Sequence, residues 1–194
     1  MNKRTPVCLV LKSAVLLVTL LCVFPLFATN PQKKEMKELN VKKVSLANVA
    51  VENIPALLDK EKVAFQSINT VNWKTFPYQP EVQFRIAHTD DAILVHYKVK
   101  EASVRAVAAG DNGAVWEDAC VEFFSIPAGD GIYYNVECNC AGILLIGAGA
   151  GRENREHAPQ EVMDKVQRWS SLGRQSFEER VGECNWELAL VIPY

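Results

Sequence analysis

Apolar and polar residues alternate along most of the chain after residue 80, and this period of two predicts β-strands. In residues 82–88, the side chains of Val82, Phe84 and Ile86 fall on one face of such a strand. Residues 92–99 repeat the pattern after an acidic turn, so the two segments are predicted to form a hairpin. Further short strands are predicted at residues 104–108, 120–126, 133–139, 143–146, 177–181 and 186–192.

One stretch of the chain departs from this alternation and predicts a helix. Pro159 is suited to the first turn of a helix, and apolar residues recur at helical spacing through residues 160–169, namely Val162, Met163, Val166 and Trp169. We therefore expect an all-β fold, a jelly-roll-like antiparallel β-sandwich with one short helix. Because Tyr194 directly follows the last predicted strand, we expect the sandwich to be incomplete at its C-terminus.

The N-terminus has the layout of a secretory signal. Basic residues precede a continuous apolar run at residues 13–27, and polar residues and a proline follow it. The run is shorter than the stretch of about 20 residues that a membrane span needs. We therefore predict a signal peptide at residues 1–29, export to the periplasm, the cell surface or the medium, and no transmembrane span in the mature chain.

A charged leader is predicted at residues 30–44, and the sandwich domain at residues 45–194. Alternatively, Met36 is the true start and the protein is cytoplasmic. The net charge of −2 over 194 residues does not favour nucleic acid as a partner, which requires a concentrated basic surface. The cysteines after the signal lie in or beside predicted strands, which favours buried thiols over a disulfide framework or a zinc site, and they are Cys120, Cys138, Cys140 and Cys184.

The strongest chemical signal is the run at residues 115–124. Trp116 heads an acidic loop that leads straight into a predicted strand, and Glu122 lies in the middle of that strand between apolar neighbours. An unpaired carboxylate is costly to bury. Glu122 is therefore expected to face solvent, to pair with a cation such as Arg85 or Arg105, or to bind a ligand.

Residues 116–124 resemble the family 9 carbohydrate-binding modules and their β-sandwich relatives, in which a tryptophan is followed by an acidic stretch and a Val-Glu-aromatic strand. The similarity extends over roughly residues 65–194. It implies a β-sandwich that binds carbohydrate without catalysis, with Trp116 stacked on a sugar ring and Glu122 accepting hydrogen bonds from its hydroxyls. In the alternative interpretation, Trp116 covers the core and Glu122 is the structural partner of an arginine.

The next strand differs from the family pattern. Relatives carry a Gln-Arg pair there, whereas the strand at residues 133–137 has no arginine. Either Asn135 and Glu137 make the polar contacts instead, or the ligand differs from that of the relatives. Trp169 is a candidate for a second stacking residue, although it equally fits the end of a buried helical stripe. The other candidates for this role are Trp73 and Tyr134.

The resemblance also implies a biological setting. It favours an exported polysaccharide-degrading system, with a glycoside hydrolase as the expected partner. The expected ligand is a β-linked plant glycan such as xylan or its oligosaccharides.

Oxygen-bearing side chains cluster near the tryptophan and suggest a structural calcium ion, which takes 6 to 8 oxygen ligands. They are Asp111, Asn112, Glu117 and Asp118. The alternative is that these side chains are simply solvated in a loop. No other cofactor is expected.

Two other functions are open. Glycoside hydrolysis needs two carboxyl groups within about 9.5 Å, whereas Asp118 and Glu122 on one strand would lie about 13 Å apart at about 3.3 Å per residue. A haem-binding electron-transfer sandwich could use His88, His96 and Met163 as ligands. However, the alternation places His96 opposite the apolar face of its strand, so we expect it at the surface.

Overall fold

The computed structural model of the protein describes residues 38–46 and 49–194. The predicted signal peptide and the first part of the predicted leader lie outside the described residues. The strands are β1 (Lys42–Lys43), β2 (Gln66–Ile68), β3 (Glu81–His88), β4 (Ala92–Ala106), β5 (Cys120–Ser125), β6 (Tyr133–Asn139), β7 (Leu144–Gly149), β8 (Glu156–His157), β9 (Gln167–Ser170) and β10 (Phe177–Pro193). The helices are α1 (Ile54–Lys60) and α2 (Gln160–Met163), and 3₁₀ turns form at Val51–Asn53 and Val115–Glu117.

The strands form two sheets, which confirms the predicted all-β sandwich. The larger sheet has the order β1-β3-β4-β10-β9, with β2 paired to β3, and the smaller has the order β5-β6-β7-β8. Neighbouring strands are antiparallel except for the parallel pair β1 and β3. Apolar side chains from both sheets fill the space between them, including Val95, Tyr97, Val121, Val136 and Leu188.

Two pairs of predicted strands are single long strands in the structure. Residues 92–99 and 104–106 belong to β4, which ends two residues before the predicted bound, and residues 177–181 and 186–192 belong to β10. The β4–β10 pairing shifts its register at two places, between Phe177 and Arg180 and between Val181 and Cys184. Such bulges let a strand continue where its alternation is interrupted.

The predicted helix at residues 160–169 is wrong in its second half. The helix α2 ends at Met163, and residues 167–170 form β9, which pairs with residues 188–191 of β10. Met163 and Val166 are nevertheless buried in the core, as a helical stripe would require. Pairing with the edge of β10 satisfies the backbone groups of β9, and this long-range contact outweighs the local helical pattern.

The N-terminal segment covers the outer face of the larger sheet. Ile54 and Leu58 of α1 are fully buried and pack with Leu94 of β4 and Val191 of β10. The last residues of the predicted leader also belong to the sandwich, since Lys42–Lys43 is β1 and the following Val44 is buried in the same cluster.

His96 is fully buried under this N-terminal segment, so the expectation that it lies at the surface is wrong. Its Nδ1 accepts a hydrogen bond of 3.0 Å from Nε of Arg85, and its Nε2 lies 2.8 Å from a carboxylate oxygen of Glu187. Arg85 also reaches α1, donating to the Asp59 carboxylate at 2.6 Å and to the Pro55 carbonyl at 2.8 Å. Strand alternation separates the two faces of a sheet, but only the position of α1 decides that both faces of β4 are covered.

Within the two described ranges, none of the helices is long and apolar enough to cross a membrane.

Candidate functional site

A cleft of about 780 Å³ lies on the outer face of the smaller sheet. This volume falls in the usual range of about 300 to 1,000 Å³ for small-molecule sites. The lining combines aromatic, acidic and basic side chains, and consists of Asn72, Trp73, Trp116, Glu122, Phe124, Tyr133, Glu137, Leu145, Arg152, Arg155 and His157.

Strand alternation places the floor of the cleft. Val121 and Val136 point into the core, so Glu122 and Phe124 of β5 and Glu137 of β6 point outward. Glu122 pairs directly with Glu137 across the two strands. The two carboxylates therefore stand side by side on the same surface, because directly opposite residues have Cβ atoms about 4.5 to 5.5 Å apart.

Trp116 forms one aromatic wall and is 57% exposed. It lies on the 3₁₀ turn Val115–Glu117, where the buried Val115 packs with Leu145 of β7 and anchors the turn beside the floor. The following Asp118 accepts hydrogen bonds of 3.0 Å from the backbone amides of Val107 and Ala108. The turn is thus held from both sides while the indole faces the cleft.

Other aromatic residues complete the walls. Trp73, from the segment between β2 and β3, lines the cleft and is 65% exposed. The rings of Phe124 and Tyr133 lie 6.0 Å apart, and the Arg155 guanidinium lies 5.9 Å from the Tyr133 ring. Large exposed aromatic faces of this kind suit apolar or stacking contacts with a ligand.

Glu137 is almost completely buried, yet only one of its oxygens is paired. Its Oε1 accepts a hydrogen bond from Nδ2 of Asn135 and lies 3.9 Å from the Arg155 guanidinium. Its Oε2 is buried and has no hydrogen-bond partner among the described residues. A buried polar atom of this kind is rare in native proteins and calls for an explanation.

Glu122 is exposed to the cleft. Partial loss of water around its carboxylate raises its pKa above the ordinary value, and the neighbouring Glu137 charge raises it further. The two arginines proposed as structural partners for Glu122 have other carboxylates, since Arg85 binds Asp59 and Arg105 lies 3.6 Å from Asp118.

Asn135 lies beneath the floor of the cleft and is fully buried. Its Oδ1 accepts a hydrogen bond of 3.1 Å from the Gly147 amide, while its Nδ2 donates to Glu137. A Cβ atom at Gly147 would lie only 2.9 Å from Oδ1 of Asn135, so the glycine permits the close contact. Asn135 therefore does not line the cleft itself but supports Glu137, which does.

The structure brings Trp116, Glu122 and Glu137 together, but Trp169 lies elsewhere. Trp169 is on β9 of the larger sheet and packs against the apolar cluster that includes Ile54. It does not line the cleft, because β9 belongs to the larger sheet whereas the cleft lies on the smaller one. Its position gives no support to the predicted stacking role.

Arg152, Arg155, Phe124, Tyr133 and His157 are cleft residues that sequence reasoning missed. For the two aromatic residues, alternation from Glu122 and Glu137 was a usable signal. The arginines lie between β7 and β8, directly after the glycine run at residues 147–151. From the sequence alone, that run is typical of a flexible turn and gives no indication of a binding site. Instead, two of its glycines lie in β7, close to the Arg155 side chain.

Two of the four predicted calcium ligands, Asp111 and Asp118, are engaged in protein contacts. The Asp111 carboxylate accepts two hydrogen bonds from the Arg168 guanidinium, at 2.6 and 2.8 Å. The Asp118 carboxylate binds the backbone amides described above and the Asn139 side chain. Within residues 38–46 and 49–194, no group of three or more His, Cys, Asp or Glu side chains is arranged to hold a metal ion. The carboxylates of Asp111 and Asp118 are thus paired with protein donors, and a structural calcium ion near these residues stays a prediction.

The candidate haem ligands are not gathered in one place. Met163 is buried in the core between the sheets, whereas His96 lies on the outer face of the larger sheet. Both ring nitrogens of His96 are already in polar contacts. This arrangement does not support an iron ligand at His96.

Comparison with known proteins identifies the family. The family model described as carbohydrate-binding family 9 matches residues 52–194. The chain belongs to carbohydrate-binding family 9. A crystal structure from Bacteroides uniformis ATCC 8492, described as a "putative carbohydrate-binding protein", is similar to this family 9 chain, with 63% sequence identity and a TM-score of 0.78. The match covers 81% of this chain and 72% of that one. No curated protein matches the chain.

Proposed function

We propose that the cleft is the carbohydrate-binding site and that the chain is a non-catalytic binding module for a β-linked plant glycan such as xylan or its oligosaccharides. One observation carries the proposal: exposed tryptophans and two adjacent carboxylates share a single cleft in a member of family 9. The choice of a plant glycan rests on the family resemblance.

The chemistry of the lining fits a sugar ring. A pyranose has apolar faces formed by its C–H groups and a rim of hydroxyls, so it needs flat aromatic surfaces and fixed polar groups. Trp116 and Trp73 supply the aromatic surfaces, and Glu122 and Glu137 supply hydrogen-bond acceptors. Arg152 and Arg155 add donors at the same cleft. Hydrogen bonds to charged groups are stronger than neutral ones.

Titration calorimetry with xylohexaose tests the site, with Trp116→Ala as the decisive variant. Loss of one stacking surface is expected to cost about 1 to 3 kcal/mol, a value taken from bases stacked on aromatics, or about 5-fold to more than 100-fold in affinity. Phe76→Ala is the matched control, because Phe76 is 74% exposed and does not line the cleft. Equal affinity of wild type and Trp116→Ala would contradict the site assignment.

A glycan array on the wild-type protein tests the ligand class. Binding to xylan or related β-linked glycans is expected. Binding confined to other sugars would refute the plant-glycan assignment but leave the cleft assignment standing. Absence of binding to every glycan would refute the proposed function.

The setting that we propose is an exported polysaccharide-degrading system with a glycoside hydrolase as partner. The basic, apolar and polar order of residues 1–29 supports export. Cell fractionation combined with N-terminal sequencing tests it. A mature chain that begins near residue 30 outside the cytoplasm is expected, and a cytoplasmic chain that begins at Met36 would refute export.

A second candidate function, glycoside hydrolysis, is favoured by the facing pair Glu122 and Glu137. Retaining glycosidases use carboxyl groups about 5 to 5.5 Å apart, and one of the pair has a raised pKa. Glu122 has such a shift. However, the burial of Glu137 and its contact with Asn135 favour binding over catalysis. Release of reducing sugar from xylan, abolished in Glu122→Gln, would establish the enzyme instead.

A further inference from the structure

We infer that Glu137 determines the specificity of the cleft by accepting a hydrogen bond from one sugar hydroxyl, and that Asn135 is the residue that positions it. This inference rests on the proposed function of the same cleft. It follows from three features of the structure, which are the unpaired oxygen, the amide that holds Glu137, and the glycine that admits this amide.

The unpaired oxygen is the starting point. Oε2 of Glu137 belongs to a side chain that is 7% exposed, and it has no partner within the described ranges. The protein has thus removed this oxygen from bulk water without replacing the lost hydrogen bonds, which is unfavourable. Because Glu137 also lines the cleft, a ligand that donates to Oε2 would relieve this cost.

Asn135 orients the carboxylate. Both ends of its amide are used, since Oδ1 accepts from the Gly147 amide and Nδ2 donates to Oε1 of Glu137. The Gly147 N–H can only donate, so it determines which end of the amide faces Glu137. Oε1 is therefore occupied, and Oε2 is the oxygen left for a ligand.

This arrangement selects for a hydrogen-bond donor. A sugar hydroxyl can donate to Oε2, whereas a ring position that lacks its hydroxyl leaves the oxygen unpaired. A site built to bind a hydroxyl discriminates strongly against the analogue that lacks it, because its polar group stays unpaired. Arg155 lies 3.9 Å from Oε1 and partly balances the Glu137 charge, so a neutral sugar is sufficient. The structure therefore points to a neutral sugar with a free hydroxyl at this position.

The test uses xylobiose and its singly deoxygenated derivatives in titration calorimetry. For the wild type, removal of one particular hydroxyl is expected to lower affinity about 10-fold to 100-fold, the range for a hydrogen bond to a charged group. In Glu137→Gln, the side-chain oxygen stays with Asn135 and an amide nitrogen takes the place of Oε2. The discrimination against that one derivative should then fall to less than 3-fold, while discrimination against the others stays unchanged.

Gly147→Ala tests the positioning role of Asn135, because the new Cβ would press on its Oδ1. It should reduce the same discrimination ratio, whereas Gly151→Ala should not, since a Cβ there meets no atom of the described residues within 4 Å. Thermal denaturation of each variant checks that it is folded. A purely structural residue would change stability or overall affinity without changing the preference for one hydroxyl.

The outcomes separate the inference from the proposed function. If Glu137→Gln keeps the wild-type discrimination, the inference is wrong and the cleft remains a glycan site. If Gly147→Ala and Gly151→Ala behave alike, Asn135 is not the positioning residue. If wild type binds neither xylobiose nor any glycan on the array, the proposed function fails and the inference fails with it.

Discussion

Acidification should destabilise the protein through His96, which the fold buries as a neutral ring. Burial lowers the pKa of His96 to about 4, and the nearby charges of Arg85 and Lys98 act in the same direction. The contact with Glu187 opposes this shift but does not cancel it. Nδ1 also accepts from Arg85, so a proton there would break the hydrogen bond and place two cations side by side.

The sign and size of the effect follow from the two pKa values. An unfolded histidine takes up a proton near pH 6.5, whereas the folded ring takes one up only near pH 4. The folded state therefore loses stability as the pH falls from about 6.5 to about 4. The difference corresponds to about 3 kcal/mol at 1.36 kcal/mol per pKa unit. This is a large part of the 5 to 15 kcal/mol that is typical of native proteins.

Urea denaturation from pH 7.5 to pH 4 measures this loss in the wild type and in His96→Gln. Glutamine can accept from Arg85 and donate to Glu187 without titrating, so the difference between the two curves isolates His96. His88→Gln is the control, because His88 is only partly buried and its Nδ1 lies 2.9 Å from the Thr89 carbonyl. If the wild type and His96→Gln lose the same stability over this pH range, the assignment of a buried neutral histidine is wrong.

Three further results are expected. As the pH is lowered, glycan affinity should begin to fall at a higher pH than an ordinary glutamate would give, because the pKa of Glu122 is raised and its carboxylate takes up a proton earlier. Calorimetry over this pH range, on the wild type and on Glu122→Gln, measures the effect. The Glu122→Gln variant should show no such loss. Asp111→Asn should lower the free energy of unfolding by about 3 to 5 kcal/mol, because it leaves the buried Arg168 without its carboxylate, and a change below 1 kcal/mol in urea denaturation would contradict this. A calcium chelator should leave the melting temperature unchanged, since protein donors occupy the oxygens of Asp111 and Asp118, and a drop would indicate a structural calcium ion.

Much of the sandwich could be predicted from the sequence. The strand at residues 133–139 was predicted with the bounds that the structure shows, and β3 and β5 differ from their predicted bounds by one residue. Alternation determines these elements, because a strand with one face on the core must place apolar side chains at every second residue. The same rule turns Glu122 and Glu137 away from Val121 and Val136, so half of the cleft floor was predictable.

The remaining features depend on contacts between distant segments. Residues 167–170 pair with β10, which converts part of a helical pattern into β9 and removes Trp169 from the cleft. The α1 segment covers one face of the larger sheet, which buries His96. Neither result can be predicted from the local periodicity, since both depend on which surface a remote segment covers.

The cleft residues divide in the same way into those that local sequence predicts and those that only the tertiary structure brings together. The sequence alone determined that Trp116 precedes a strand with an outward glutamate, because both facts depend on neighbouring residues. Only the tertiary structure decided that Trp73 and Arg155, which come from separate loops, meet this strand at one cleft. It also left one oxygen of Glu137 without a hydrogen-bond partner among the described residues. Local patterns determine which way a side chain points, but the packing of the whole chain decides what it meets there.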